Sequence, residues 1–286
     1  MSAACTEGVD TGFVALGAAK VAFLGIVQGI TELMPISSTA HMRLVPALLG
    51  WQDPGSAFSA AMQLAALSAV LCYFWTDIRS IAGGSIAAIR TGDWFSPKFR
   101  LAVGVVLGTV PIVIAGLLLA PLLNRCDSPL RTLPVIGISC LVMGGLLAIA
   151  ELAARHERRV EDMRLRDALI VGLAQVGALI PGVSRSGSTL TAALCRSFTR
   201  EEAAKFSFLL GIPAIALAGV HEIGTLVHAH LDLQGWMILL VGLVAGALSS
   251  FAALWVLMRI LERFSAWPFI FYRVLLGAIV LWVAFS

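Results

Sequence analysis

Charge is scarce in this chain. Lys, Arg, Asp and Glu supply 13% of its 286 residues, about half of the roughly 25% usual in a soluble domain. The net charge is only +3, and no basic block with interleaved aromatics is present, which sets nucleic acid aside as a partner. Short segments alternating apolar and polar residues are also missing, and a transmembrane β-barrel would need them. The five cysteines (Cys5, Cys72, Cys126, Cys140 and Cys195) are odd in number and scattered, mostly inside apolar stretches. They show neither metal-type spacing nor a disulfide framework and read as small core residues. Met1 to Gly17 holds Glu7 and Asp10 without a basic start, unlike a standard signal peptide.

What remains is hydrocarbon. Apolar residues make up 59% of the chain, the mean hydropathy is +0.92, and several runs approach the ~20 residues that cross a bilayer as a helix. The expected class is an all-α polytopic membrane protein. Six full spans are predicted, over 55–75, 99–122, 130–152, 203–223, 236–258 and 267–285. Residues 19–50 and 167–198 differ. Each has apolar helical pieces of about 10–16 residues on either side of a Pro/Ser break, as re-entrant hairpins do.

The two hairpins are related. Gln28 and Gln175 are 147 residues apart, as are Ser37 and Ser184, while Pro35 and Pro181 are 146 apart. Gly104–Gly108 and Gly242–Gly246 each carry Gly-x-x-x-Gly spacing in the second span after a hairpin, a spacing that lets helices approach closely. Two repeats follow, 19–152 and 167–285, each a hairpin plus three spans, joined by a charged linker over 153–166. An odd number of crossings per repeat inverts the second copy, so the hairpins enter from opposite faces and can share one site. Arg155, Arg158, Arg159, Arg164 and Arg166 mark one side, with Arg79, Arg90, Lys98 and Arg100. The positive-inside rule makes that side cytoplasmic. The His221–Gln234 connection, free of Lys and Arg, and the Asn124–Leu130 turn then face outward. The Arg155–Arg166 run is expected to be a solvated loop.

Ionisable groups at membrane depth are costly and rarely lack a task. Gln28 and Glu32, four apart, share a helix face, either as a polar pair bonded to a neighbouring helix or as part of a site. Ser37 or Ser38 could cap the helix that follows. His41, three residues after Ser38, can also reach its hydroxyl, the minimal arrangement of an activated nucleophile. In the second break, Pro181-Gly-Val-Ser184-Arg185-Ser186-Gly-Ser188-Thr189 opens a helix. Free N–H groups, hydroxyls and a guanidinium there make a phosphate cradle. The competing reading pairs Arg185 with a carboxylate such as Glu32 or lets it snorkel to the interface. His221, Glu222, His228, His230 and Asp232 resemble a metal cluster but read better as a solvated connection. Tyr272 and Arg273 read first as an interfacial anchor, second as substrate contacts.

At these residues the chain resembles the undecaprenyl-diphosphate phosphatase family, the membrane enzymes of bacitracin resistance. Gln28, Glu32, Pro35, Ser37, Ser38 and His41 match its first motif, and Pro181 to Thr189 its second at every fixed position. Phe206-Ser-Phe208, Ile212-Pro213 and Tyr272-Arg273 also fit. The resemblance implies hydrolysis of undecaprenyl diphosphate to the monophosphate in the bacterial inner membrane, with the site open to the periplasm. It implies catalytic Glu32, Ser38, His41 and Arg185, and substrate contacts from Ser37, Ser184, Ser186, Thr189 and Arg273. A divalent cation, Mg2+ or Ca2+, would sit at Gln28 and Glu32, although Gln28 brings no charge where Glu is the alternative. Implied partners are a polyprenyl diphosphate and the bilayer; the oligomeric state stays open, a homodimer included. Ser38, His41 and water all remain candidate nucleophiles. The rival class is a transporter or flippase built on the same inverted-repeat site, and a membrane scaffold is a third.

Overall fold

The computed structural model of the chain describes residues 11–123, 128–228 and 231–285. Cys5, Glu7, Asp10, Cys126 and His230 lie outside the described residues, as does most of the Asn124–Leu130 turn. Twelve α-helices occur among the described residues: α1 (Phe13–Leu33), α2 (Ser38–Leu49), α3 (Ser56–Ala61), α4 (Gln63–Tyr73), α5 (Trp75–Thr91) and α6 (Pro97–Leu123). The remainder are α7 (Leu133–Ala153), α8 (Leu165–Val176), α9 (Arg185–Cys195), α10 (Arg200–His228), α11 (Leu233–Arg263) and α12 (Trp267–Phe285). Helices α1, α6, α7, α10, α11 and α12 are each long and apolar enough to cross a bilayer. The chain is an all-α polytopic membrane protein. Its outer faces carry exposed Leu117, Leu118, Leu152, Leu248 and Trp282, side chains suited to lipid and costly in water.

Five predicted spans coincide with long helices, and the one over 55–75 does not. There α3 and α4 form one arm, which bends by 72° into α5. Asp77 and Arg79 end the apolar run just after Trp75. The chain therefore stays helical but turns aside, and what was expected to be a connection becomes the largely exposed helix α5. In the first hairpin, α1 is longer than the expected arm, and Gly17 (φ 76°, ψ 166°) interrupts it.

The two breaks repeat one local geometry. Ser37 (φ 72°) and Ser184 (φ 67°) both hold positive φ, unfavourable for a side chain and costing about 1–3 kcal/mol. Each also caps the helix it precedes, Ser37 Oγ accepting from the Ala40 N–H and Ser184 Oγ from the Gly187 N–H. The first arm of each hairpin packs on a distant glycine pair. A Cβ added at Gly29 of α1 would stand 2.4 Å from the Gly246 carbonyl oxygen, and one at Gly172 of α8 would stand 2.2 Å from that of Gly108. Only glycine permits such backbone contact. Between the breaks lies the main core, with Leu33, Ile36, Leu190, Phe206, Leu209 and Leu254.

The charged linker is more structured than a solvated loop. Asp167, fully buried, accepts from Arg158 at 2.6 Å and Arg196 at 2.7 Å, and the Arg158 guanidinium lies over the Phe198 ring. Burial works to raise the Asp167 carboxyl, but the bonds from Arg158, the Arg164 N–H and Arg196 outweigh it and hold it at about 2. This brace ties the start of α8 to the end of α9.

Candidate active site

Glu32 ends α1 and meets groups from both breaks. Its Oε2 accepts from the Ser38 hydroxyl at 2.6 Å and from Gln28 Nε2 at 2.9 Å. Its Oε1 accepts from Arg185 Nη2 at 3.0 Å. Gln28, Glu32, Ser38 and Arg185 are thus one hydrogen-bonded cluster. The expected pairing of Gln28 with Glu32 on one helix face holds, and so does the Arg185–Glu32 ion pair, given above as the competing reading of Arg185. The pair lies in a cavity of about 190 Å³ that Ser38, Thr39, Gln63 and Ser184 also line. The ion pair thus lies where the helix opening at Arg185 reads in the sequence as an anion cradle.

Two helices begin at this cavity, α2 at Ser38 and α9 at Arg185. Their first N–H groups have no partner within the helix, and both positive dipole ends lie beside it. An anion is the natural occupant. Gly211 of α10 makes room for the cation, since a Cβ there would fall 2.1 Å from Arg185 Nη1.

His41 is placed otherwise than expected. Its Nδ1 lies 2.8 Å from the Ser37 carbonyl oxygen and its Nε2 2.7 Å from the Tyr272 hydroxyl. A carbonyl only accepts, so Nδ1 carries the proton, and Nε2 of the neutral ring accepts from Tyr272. No hydrogen bond joins His41 to Ser38. The group beside the Ser38 hydroxyl is Glu32, because the first turn of α2 aims the imidazole back at Ser37.

Arg273, which the resemblance implies as a substrate contact, is bonded to backbone carbonyls of both breaks. It is fully buried and donates to the carbonyls of Pro35 (3.0 Å), Gly182 (2.8 Å), Val183 (2.6 Å) and Cys140 (3.4 Å). One guanidinium thereby fastens both breaks to each other and to α7. Thr189 is likewise fully buried, bonded to the Arg185 carbonyl and the Ser207 hydroxyl. Ser186 bonds the Met34 carbonyl across the breaks at 3.1 Å. These two brace the site from behind, as does Ser37 through its cap. Ser184 alone of the expected substrate hydroxyls lines the cavity.

Gln63 lines the cavity although no motif pointed to it, and Tyr272, read first as an interfacial anchor and second as a substrate contact, bonds His41. Tyr272 was nameable as the neighbour of Arg273 in the last span; Gln63 opens α4 without any such signal. Among the described residues no group of three or more His, Cys, Asp and Glu side chains is placed to hold a metal ion, and Asp232 caps α11 through the Gly235 N–H. Near Glu32, one acceptor is unclaimed: the buried Gln28 Oε1.

The sequence of this chain is 64% identical to undecaprenyl-diphosphatase 2 of Mesorhizobium japonicum over 89% of this chain and 97% of that protein. It is 48% identical to the undecaprenyl-diphosphatase of Gloeobacter violaceus, covering 93% and 91% of the two chains. With that of Synechocystis sp. the identity is 46%, over 96% and 86%. The family model described as bacitracin resistance protein BacA matches residues 21–279, a stretch that contains both breaks and every residue of the cluster. This chain belongs to the bacitracin resistance protein BacA family.

Proposed function

We propose that the chain is an undecaprenyl-diphosphate phosphatase, releasing inorganic phosphate and leaving undecaprenyl phosphate, the lipid carrier of bacterial cell-wall synthesis. The observation that carries this reading is the Ser38–Glu32–Arg185 cluster: a hydroxyl, a base and a phosphate-binding cation in one cavity between two helix N-termini. The names of the relatives support it, and they give the transporter reading no support.

The terminal phosphate takes its place beside Arg185 and the N–H groups that open α9. It competes for the guanidinium and leaves the Glu32 carboxylate to Ser38. Ser38 Oγ attacks phosphorus in line with the bridging oxygen, and its proton passes to Glu32 Oε2. The P–O bond to the bridging oxygen breaks, and undecaprenyl phosphate departs with that oxygen and with the proton from Glu32, whose carboxylate is thereby restored. Water then attacks the phosphoseryl group; Glu32 takes a proton from it and passes that proton to the departing Ser38 oxygen, which frees phosphate and restores the Ser38 hydroxyl. Arg185 and the helix ends stabilise the charge on the equatorial oxygens throughout. His41, held by Ser37 and Tyr272, fixes the first turn of α2 and hence the aim of Ser38.

A divalent cation fits here only as one that takes most of its ligands from the diphosphate and water, as Mg2+ usually does. Gln28 Oε1 and Glu32 would hold it, and it would neutralise charge on the phosphates. The two hairpins are read as re-entrant, in inverted repeats 19–152 and 167–285. The arginine-rich 153–166 segment lies in the cytoplasm, and the cavity opens to the periplasmic side of the inner membrane. The recurrence of the Ser37 and Ser184 geometry supports that arrangement.

Phosphate release from a C55 or C15 prenyl diphosphate by the purified chain tests the reading. Turnover by the wild type, with a loss of at least about a hundredfold in Glu32→Ala, Ser38→Ala and Arg185→Ala, is the expected result. Near-normal rates in all three would remove this site. Chelation with EDTA, followed by Mg2+ or Ca2+, tests the cation separately.

A further inference from the structure

The cavity that holds Glu32 and Arg185 has two unlike ends. One is the polar end described above. The other is hydrocarbon: Ile112 of α6, Ile180 beside the second break, and Ala214, Ile215 and Ala218 of α10. An inorganic anion makes no use of such a wall. The reaction proposed above, on which this inference rests, concerns a diphosphate carrying a long polyprenyl chain, and that chain must leave the site in some direction.

Among the described residues, two cavities adjoin Ser38. A second cavity of about 360 Å³ shares Ser38, Thr39 and Gln63 with the first, but its far wall carries Arg131 and the Arg43–Asp53 ion pair. Hydrocarbon laid over charged groups strips them of water with no compensating bond. The first cavity leads instead between α6 and α10. These helices touch at Gly108, where an added Cβ would come 2.9 Å from Leu210 Cδ1. Four residues further along each helix, Ile112 and Ala214 line the cavity. One more turn of α10 brings Ala218, which is exposed. The exposed surface of α10 there is apolar, with Leu217 and Val220 both more than half exposed. Small side chains four apart on one helix face leave a shallow groove, and Ala214 and Ala218 set this one between the Arg185 cavity and the exposed surface of α10. A lipid substrate needs that shape: a polar seat for the head, continuous with a route for the tail that never crosses water.

We propose that the polyprenyl tail of the substrate lies between α6 and α10, on Ile112, Ala214 and Ala218. Large side chains in the groove then exclude the lipid without disturbing the headgroup seat. Ala214→Phe and Ala218→Trp are made singly in the full chain, with Leu217→Trp on the neighbouring exposed face as control. KM for C55 prenyl diphosphate is measured in detergent, together with the Ki of inorganic pyrophosphate as a competitor that has the headgroup but no tail. In the two groove variants KM rises at least about tenfold, while Ki stays within about twofold and the control keeps wild-type values. An unchanged KM in both groove variants overturns the assignment. So does a parallel rise of KM and Ki, since the defect would then lie in the headgroup seat. A wild type that releases no phosphate from prenyl diphosphate ends both this assignment and the hydrolase reading. A hydrolysing wild type with unaffected groove variants ends the groove alone.

Discussion

Arg185 and Glu32 stand 153 residues apart in the sequence and 3.0 Å apart in the fold, each side chain less than one-seventh exposed. Taking the two charges out of water costs several kcal/mol apiece, and their attraction offsets this only while both are present. The pair therefore serves two ends at once. It lets the two breaks meet without a lone buried charge, and in the proposed reaction it holds the cation that an incoming phosphate claims.

Single and double substitutions separate those ends. Arg185→Leu or Glu32→Leu alone should destabilise the chain by about 3 kcal/mol, since each strands a buried charge. Arg185→Leu with Glu32→Leu together should recover much of that loss and still release no phosphate. Thermal unfolding in detergent with phosphate release on the same samples checks this; a double variant no more stable than the singles contradicts it.

Gly211 governs the position of the cation. In Gly211→Ala the new Cβ would lie 2.1 Å from Arg185 Nη1, and the flexible guanidinium is what can move. The chain should fold with a near-normal thermal midpoint while turnover falls about 10- to 100-fold. Wild-type kcat in Gly211→Ala would show that the present position of Arg185 is irrelevant to catalysis.

Arg273 is a brace, and its loss should register as stability. Arg273→Met leaves the Pro35, Gly182, Val183 and Cys140 carbonyls without this donor. Destabilisation of about 3 kcal/mol or more is expected from buried acceptors left unpaired. A raised KM with an unmoved thermal midpoint would instead mean that Arg273 holds substrate.

The hydrogen bonds of His41 specify its tautomer. Nitrogen-15 spectra of histidine-labelled protein, with His41→Gln to assign the signal, should show a protonated Nδ1 and an accepting Nε2. In Tyr272→Phe the Nε2 signal should move and turnover fall several-fold. Protonation at Nε2 in the wild type would reverse the direction of the Tyr272 bond.

Asp167 makes stability depend on acid. Its carboxyl is held at about 2 in the fold, below the ~3.9 of an unfolded Asp. The contribution is then complete above about pH 4 and is lost as the pH falls through about 2, amounting to about 2 kcal/mol. Asp167→Asn should abolish this component of the acid profile. An unchanged slope between pH 4 and 2 would show that Arg158 and Arg196 do not stabilise the carboxylate.

How much of this was legible follows from the range over which each feature is decided. Hydropathy accumulates along one helix, so the membrane class and five of the spans could be read from the residues alone. The bend after Tyr73 could not, because an apolar window is the same whether its helix runs straight or turns by 72°. The motif residues were nameable because short spacing puts Gln28 and Glu32 on one face and opens a helix after Ser184. Their mutual bonds were a different matter.

By itself the sequence determined that this is a helical membrane protein with two polar breaks of common pattern. The reason is that turn chemistry and burial preference are local properties of residue type. Docking of the helices settled what no local pattern could: Ser38 addresses Glu32 and not His41, Tyr272 reaches His41 from 231 residues away, and Arg273 holds carbonyls of both breaks. A side chain's partner depends on which backbone packs opposite it and in which direction its bonds point, and neither is fixed until the helices have docked.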